Sequence, residues 1–224
     1  ALDMQAGEKK GLSKSLLDRL LLNDARISEM IQGLKEVAAM QDIIGNIEHV
    51  IKRQNGLLIG QMHVPLGAIA IIYEARPNVT VDAAGLCIKS GNTILLRGGS
   101  EAIHSNNFLT RIMQDAAYGN GFPEGGIEII ENTDRALVDE LVSLRKYIDV
   151  LIPRGSQSFI DHVVSIAKVP IIETGAGNCH VYVDKDADLE MALDLVYNGK
   201  TQRPSVCNAT KKVLVHKDVA EKFL

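Results

Sequence analysis

The chain has 224 residues, of which 46% are apolar, and its 24 Lys and Arg against 28 Asp and Glu give a formal charge of −4. That length builds one large domain or two smaller ones with a sizeable core. The acidic balance, without any Lys/Arg cluster, argues against nucleic acid as the main partner, and no apolar run nears the roughly 20 residues of a membrane span.

The first residues, Ala1-Leu-Asp-Met-Gln5, have neither the basic nor the apolar part of a signal peptide. Three cysteines at wide, irregular spacing predict free thiols in a reducing cytoplasm. A start without Met predicts a chain that was trimmed or begins part-way through a gene product.

Residues 12–22 read as an amphipathic helix, and Asn23 or Asp24 caps a second that runs to about Met40. Over 50–64, Asn55-Gly56 between two strand-like segments is a hairpin signal. After Pro65 the pattern turns regular. Strand-like stretches at 67–73, 93–97, 126–130, 148–152 and 169–172 alternate with helical ones at 79–90, 103–118, 133–144 and 156–167. Gly91 and Gly119 fall where helix C-caps belong. Strands alternating with helices of this length predict an α/β fold: a parallel sheet with helices on both faces. From about Gly175 a strand (180–184), a helix (188–199), a strand (212–216) and a helix start (218–224) form a second, smaller block. One strand–helix–strand piece cannot bury both faces of a sheet, so this block reads as the start of a second domain.

No Gly-x-x-x-x-Gly-Lys-Ser/Thr is present, so a P-loop has no support. Gly175-Ala-Gly177 begins like a dinucleotide fingerprint, but His180 stands at the third Gly and a strand follows, so a turn is the better reading. Gly98-Gly99-Ser100 follows a strand and opens a helix, whose N–H groups attract anions. An ordinary βα turn explains it equally simply, and position alone favours that. Arg154-Gly155-Ser156 repeats the arrangement, and two such turns, each after a strand-end Arg, point toward a phosphate-rich cofactor. Asn78, in Arg76-Pro77-Asn78, has two readings: a helix N-cap, which position favours, or an amide donor to a developing oxyanion.

Cys207 lies in a polar run, Lys200-Thr-Gln-Arg-Pro-Ser-Val-Cys-Asn208, between a helix pattern and a strand pattern. It reads either as a small apolar filler or as a nucleophile, since the thiolate attacks and nearby cations favour it. Cys87 lies in an apolar helical pattern and reads as core. Cys179 and His180 point to opposite faces of a strand and make a poor metal pair. His49, His63, His104, His162 and His216 are scattered and read as solvated. Glu173 ends a strand pattern and reads as a strand-end charge rather than a base.

Four motifs together resemble the γ-glutamyl phosphate reductase family of the aldehyde dehydrogenase superfamily: Val64–Asp82 (Val-Pro-Leu-Gly-Ala-Ile-Ala-Ile-Ile-Tyr-Glu-Ala-Arg-Pro-Asn-Val-Thr-Val-Asp), Leu95-Leu-Arg-Gly-Gly-Ser100, Asp149-Val-Leu-Ile-Pro-Arg-Gly-Ser156 and Lys200–Asn208. The resemblance implies an aldehyde-dehydrogenase-like fold, a Rossmann-type sheet plus the start of an α/β catalytic domain. It implies an NADP-binding domain over 1–49 and 65–173, an oligomerisation hairpin over 50–64 and the N-terminal part of a catalytic domain over 174–224. Cys207 matches the catalytic cysteine, and Asn78 matches the asparagine that shares the oxyanion hole with the Cys207 N–H. Arg97 stands where the superfamily has a lysine on the adenosine ribose. Ser100 replaces a ribose-binding glutamate, which leaves room for a 2′-phosphate and favours NADPH over NADH. Gly98 belongs to the same turn, and Gly155 and Ser156 match the helix start that touches the pyrophosphate.

Arg76 and Arg203 are candidate ligands for the substrate's phosphate or carboxylate; structural charge pairing is the other reading. Glu173 falls near the superfamily's water-activating glutamate, a function that a reductase exchanging phosphate for hydride does not need. The implied activity is reduction of L-glutamyl 5-phosphate, a small-molecule substrate, to glutamate 5-semialdehyde in the cytoplasm, the second step of proline biosynthesis, by a homo-oligomer. Two other readings stay open: oxidation of a small aldehyde with NAD(P), and a nucleotide-binding fragment without turnover. The family is nearly twice as long as this chain, so truncation at both ends is expected.

Overall fold

The computed structural model describes the chain except for Arg135, residues 174–176, Ser205 and the side chain of Ser15. The chain forms two compact units, Ala1–Thr174 and Gly175–Leu224.

The first unit opens with three helices, α1 (Leu2–Lys9), α2 (Lys14–Leu20) and α3 (Asp24–Ala39). Ser13 caps α2 and Asn23 caps α3, each side-chain oxygen accepting from a backbone N–H three residues on, at 3.3 and 2.9 Å. These caps set the helix starts because the first-turn donors have no partner within the helix. α1 has no counterpart among the sequence expectations, because its few apolar residues show no clear stripe.

An antiparallel hairpin follows, β1 (Ile47–Lys52) and β2 (Leu58–Met62), and every residue of both strands is exposed. Its connection is longer than the two-residue turn that Asn55-Gly56 would make alone. Gly56 takes φ 88°, and Arg53 N–H donates to the Leu57 carbonyl at 2.8 Å. Pairing slips between Glu48 and Ile51, around His49 with φ 52°.

The core is a four-stranded parallel sheet in the order β5-β4-β3-β6. Its strands are β3 (Ala68–Tyr73), β4 (Thr93–Gly98), β5 (Ile127–Ile129) and β6 (Val150–Arg154). The intervening helices are α4 (Pro77–Lys89), α5 (Ile103–Gly119), α6 (Ala136–Leu141) and α7 (Gln157–Ile166). Side chains alternate across the sheet. Ile69, Ile71, Tyr73, Ile94 and Leu96 join Ala83, Ala84 and Cys87 of α4 on one face. Ala70, Ile72 and Leu151 join Val138, Leu141, Val142 and Val163 on the other. Burial on both faces explains why these strands read as continuous apolar runs.

Three expectations need correction. The stretch 169–172 is no full strand: it makes a single parallel bridge, Leu151 to Ile171. Pro170 accepts from Leu151 N–H but has no N–H to return, so the ladder cannot extend. Gly119 is still helical, Asn120 is the C-cap and Gly121 takes the positive φ of 89°, whereas Gly91, at φ 71°, does follow the α4 C-cap. The helix expected over 133–144 is shorter, since Asn132 and Asp134 side chains accept from backbone N–H groups two residues on and hold 132–134 in turns.

The chain steps from β3 outward to β4 and β5, then returns to place β6 on the other side of β3. The order in which strands are added therefore reverses between β3 and β6, while all four run parallel. Ligands of open parallel sheets settle outside the strand C-termini at such a switch point.

In the second unit, β7 (His180–Val183) pairs in parallel with β8 (Lys212–Val215), joined by α8 (Leu189–Thr201) and followed by α9 (Lys217–Phe223). Asp188 caps α8, accepting from Glu190 and Met191 N–H at 3.0 and 3.2 Å. Val183, Ala192, Ala209 and Thr210 are buried, while Met191, Leu193, Leu195 and Tyr197 are exposed.

Candidate active site

Three strand ends converge at the switch point, and each carries residues singled out from the sequence. After β3 come Glu74, Ala75 and Arg76, then α4. Arg76 occupies the N-cap of α4 without a side-chain cap bond, and Pro77 is its first residue. Asn78 is thus the second helical residue rather than the cap. Proline at the first helical position was the signal that could have shown this. The exposed Asn78 amide donates instead to Asp82, one turn on, at 3.0 Å. Partial desolvation raises the Asp82 carboxyl above its ordinary proton affinity, and the Asn78 hydrogen bond opposes that rise.

Behind this helix start lies a buried polar chain. Tyr73 Oη and Thr80 Oγ1 share a hydrogen bond of 2.6 Å, and Thr80 Oγ1 donates to Asn106 Oδ1 at 3.2 Å. Burial pushes the Tyr73 phenol up to about 12. The chain ties β3, α4 and α5 together beneath the strand ends.

After β4, Gly98 rests against this network. A Cβ at Gly98 would collide with the Asn106 amide and sit 3.4 Å from the Tyr73 ring. Packing alone therefore requires glycine there. At Gly99 a Cβ would run into the Glu101 carboxylate. Ser100, exposed, opens a single 3-10 turn that leads into α5. The first N–H groups of α5 do not face an open anion site. The buried Asp3 carboxylate, from α1, accepts from His104 N–H at 3.1 Å and from Ser105 N–H and hydroxyl at 2.8 and 2.5 Å. Arg97 is buried at the end of β4, and its Nη2 donates to the Thr133 carbonyl at 2.8 Å.

After β6 the turn differs. Gly155 and Ser156 are exposed, and Ser156 caps α7 by accepting from Phe159 N–H at 3.4 Å. A Cβ on Gly155 would lie 2.9 Å from the Phe159 ring and 3.1 Å from the Glu74 carboxyl. Packing against Phe159 and Glu74 therefore favours glycine in this exposed turn as well. Glu74, which the sequence reading passed over, places a carboxylate beside it.

In the second unit Cys207 is exposed. It lies in a turn between α8 and β8: Val206 N–H donates to the Arg203 carbonyl at 3.3 Å, and Ala209 N–H to the Val206 carbonyl at 3.2 Å. Arg203 is exposed at the start of this turn. Two residues seat it from below. The Cys179 thiol donates to the Cys207 carbonyl at 3.7 Å, and a Cβ on Gly177 would overlap that same carbonyl oxygen. Gly177, half of the rejected fingerprint, is glycine so that the Cys207 backbone can close onto it; Gly175 lies outside the described residues. Cys87 is buried and its thiol is pushed up to about 11 by desolvation, as a core cysteine should be. Glu173 is exposed in the first unit. No group of acidic, His or Cys side chains suited to a metal occurs among the described residues, and none of their helices is long and apolar enough to cross a membrane.

The signature of the aldehyde dehydrogenase family matches residues 19–224. The chain is 59% identical over 223 residues to the γ-glutamyl phosphate reductase of Halothermothrix orenii, covering 100% of this chain and 53% of that protein. The crystal structure of γ-glutamyl phosphate reductase from Thermotoga maritima superposes with a TM-score of 0.91 at 47% identity, over 99% of this chain and 54% of the other. The Saccharomyces cerevisiae γ-glutamyl phosphate reductase structure gives 0.70 at 30% identity, over 99% and 55%. The chain spans about half the length of the curated relatives it matches.

Proposed function

The chain belongs to the aldehyde dehydrogenase family, and on that premise we propose that it supplies the cofactor-binding part and the nucleophile of an enzyme that reduces L-glutamyl 5-phosphate to L-glutamate 5-semialdehyde, with release of phosphate, in the cytoplasm as the second step of proline biosynthesis. The observation that carries this reading is the exposed Cys207 thiol on a backbone turn seated by Gly177 and Cys179, in a chain 59% identical to a protein named for that activity.

The Cys207 thiolate attacks the acyl phosphate carbon. The carbonyl electrons move onto oxygen, and the Cys207 N–H is the proposed donor to the oxyanion, worth about 3 kcal/mol; in the first unit, the family resemblance proposes the Asn78 amide as a catalytic donor. The oxyanion collapses, the C–O bond to phosphate breaks, and inorganic phosphate leaves behind a thioester. Arg76 and Arg203 hold the phosphate or carboxylate of the substrate.

The first unit fits a dinucleotide. Its switch point, the exposed turn at Gly155 and the Ser156 helix start suit a pyrophosphate. Gly98 and Ser100 would border the adenosine ribose, with Arg97 as the cation for a 2′-phosphate, which is why NADPH is the proposed cofactor. Bound there, it would supply the hydride that brings the acyl group to the aldehyde level, while Cys207 leaves as thiolate. Glu173 has no part in this chemistry. The hairpin β1–β2, exposed throughout, is the proposed arm onto a second copy of the chain, since an isolated two-stranded ribbon is marginal in water.

Cys207→Ser in a full-length protein carrying this sequence is expected to abolish NADPH-driven release of phosphate from glutamyl 5-phosphate, and the reverse phosphate-dependent oxidation of the semialdehyde with NADP, while leaving NADPH binding intact. Retained turnover would overturn the mechanism. Aldehyde oxidation that proceeds without phosphate would favour the oxidising reading instead.

A further inference from the structure

We infer that Cys179 is a positioning residue for the proposed nucleophile: its thiol, in the space that Gly177 leaves, holds the backbone turn that carries Cys207. The inference rests on the role proposed for Cys207, and every residue it uses belongs to the second unit.

The loop from α8 to β8 is anchored at its far end. Ala209 and Thr210 are buried, and Thr210 N–H donates back to the Gly199 carbonyl of α8 at 2.9 Å. Just before that anchor, Ala209 N–H closes a β-turn onto the Val206 carbonyl at 3.2 Å. Cys207 and Asn208 are the two central residues of this turn, and both are exposed. The closing hydrogen bond does not hold the central peptide. Turn types I and II share that bond yet differ by about 150° in ψ at the first central residue, which turns its carbonyl over. A partner for the Cys207 carbonyl therefore selects one backbone conformation for Cys207 itself.

Cys179 supplies that partner, its thiol donating to the Cys207 carbonyl at 3.7 Å. Its own backbone is held, because its carbonyl accepts from Lys211 and Lys212 N–H at 3.0 and 3.2 Å where β8 begins. One residue thus links the start of β8 to the turn that carries Cys207. Gly177 makes the approach possible. A Cβ there would overlap the Cys207 carbonyl oxygen and lie 3.1 Å from its carbon and 3.8 Å from the Cys179 sulfur. The Cys207 carbonyl rests on Gly177 and Cys179 while the residue stays exposed to solvent. Cys207 loses backbone freedom and keeps its access, as a preorganised attacking group requires.

The test follows phosphate release without NADPH in a full-length protein carrying this sequence. Mixed with glutamyl 5-phosphate, the enzyme releases one phosphate per working Cys207. The burst amplitude counts sites, and its rate constant reads the attack. Cys179→Val fills the space without a donor, and Cys179→Ser restores one. The valine variant is expected to lower the rate constant about fivefold at unchanged amplitude, the effect of losing one weak hydrogen bond. The serine variant should lie within about twofold of the parent. Gly177→Ala, which drives a methyl group into the carbonyl, should lower the rate constant about tenfold or more; if that variant does not fold, the Cys179 pair decides. A valine-variant rate constant within about twofold of the parent, a serine variant as slow as the valine one, a loss of amplitude alone, or a folded Gly177→Ala at the parent rate would overturn the inference. A burst retained in Cys207→Ser would instead sink the nucleophile reading on which it rests.

Discussion

The turns after β4 and β6 look alike in sequence, Arg97-Gly-Gly-Ser100 and Arg154-Gly-Ser156, yet the structure treats them differently. At the first, the helix N–H groups already have their anion, the buried Asp3 carboxylate. At the second, a serine caps the helix and the turn is exposed. A helix start attracts negative charge, but it is a ligand site only where the protein has not filled it with a carboxylate of its own. On the proposed reading, the first turn would therefore meet the cofactor through side chains, Arg97 and Ser100, and the second through its helix start.

This contrast can be broken at the first turn. Asp3→Ala should cost about 2–4 kcal/mol of folding stability, since a buried, charge-assisted acceptor with three donors is lost. Denaturant unfolding measures the loss, and added sulfate should recover part of it by entering the vacated helix start. A stability change within about 0.5 kcal/mol would show that the cap carries little.

A second, smaller effect comes from the polar network below the same turn. Tyr73 titrates at about 12 in the folded chain against 10.0 ordinarily. The folded state therefore keeps its proton where the unfolded state has lost it. Stability should fall as pH rises from 10 to about 12, by up to roughly 2–3 kcal/mol. Cys87, at about 11 against 9.0, adds a loss that begins nearer pH 9. Tyr73→Phe should flatten the upper part of this decline. An unchanged slope in unfolding midpoints between about pH 10 and 12 would assign the decline to other groups.

The smallest effect sharpens the second turn. The Glu74 carboxyl lies 3.1 Å from the Cβ position of Gly155, so it opposes a phosphate at the α7 start. Glu74→Gln should tighten NADPH binding about threefold at low salt and less at high salt, where the repulsion is screened. Calorimetric titration at two ionic strengths reads both. Weaker binding would mean that Glu74 contributes to the site instead of opposing it.

Much of the architecture was legible because it is local. Apolar runs buried on both faces mark β3, β4 and β6, and caps such as Ser13, Asn23 and Asp188 lie within three residues of the N–H groups they satisfy. Cys207 stood out as a cysteine with polar neighbours, whereas the α4 start, marked by Pro77, was misplaced onto Asn78. The Asn78–Asp82 pair was legible in principle, at a spacing of four, but only an observed donor and acceptor could single it out.

What the sequence determined by itself was the order of elements and the family motifs, since hydrophobic period and turn chemistry act over a few residues. The tertiary structure alone decided which of two similar turns remains open to an anion. Asp3 and His104 are 101 residues apart, and Cys179 reaches Cys207 across 28. Such pairings follow from how packed elements meet, and no local pattern in the chain encodes them. A short strand such as 169–172 fails for a related reason: its apolar run invites pairing, but a ladder needs donors from both chains, and Pro170 has none to give.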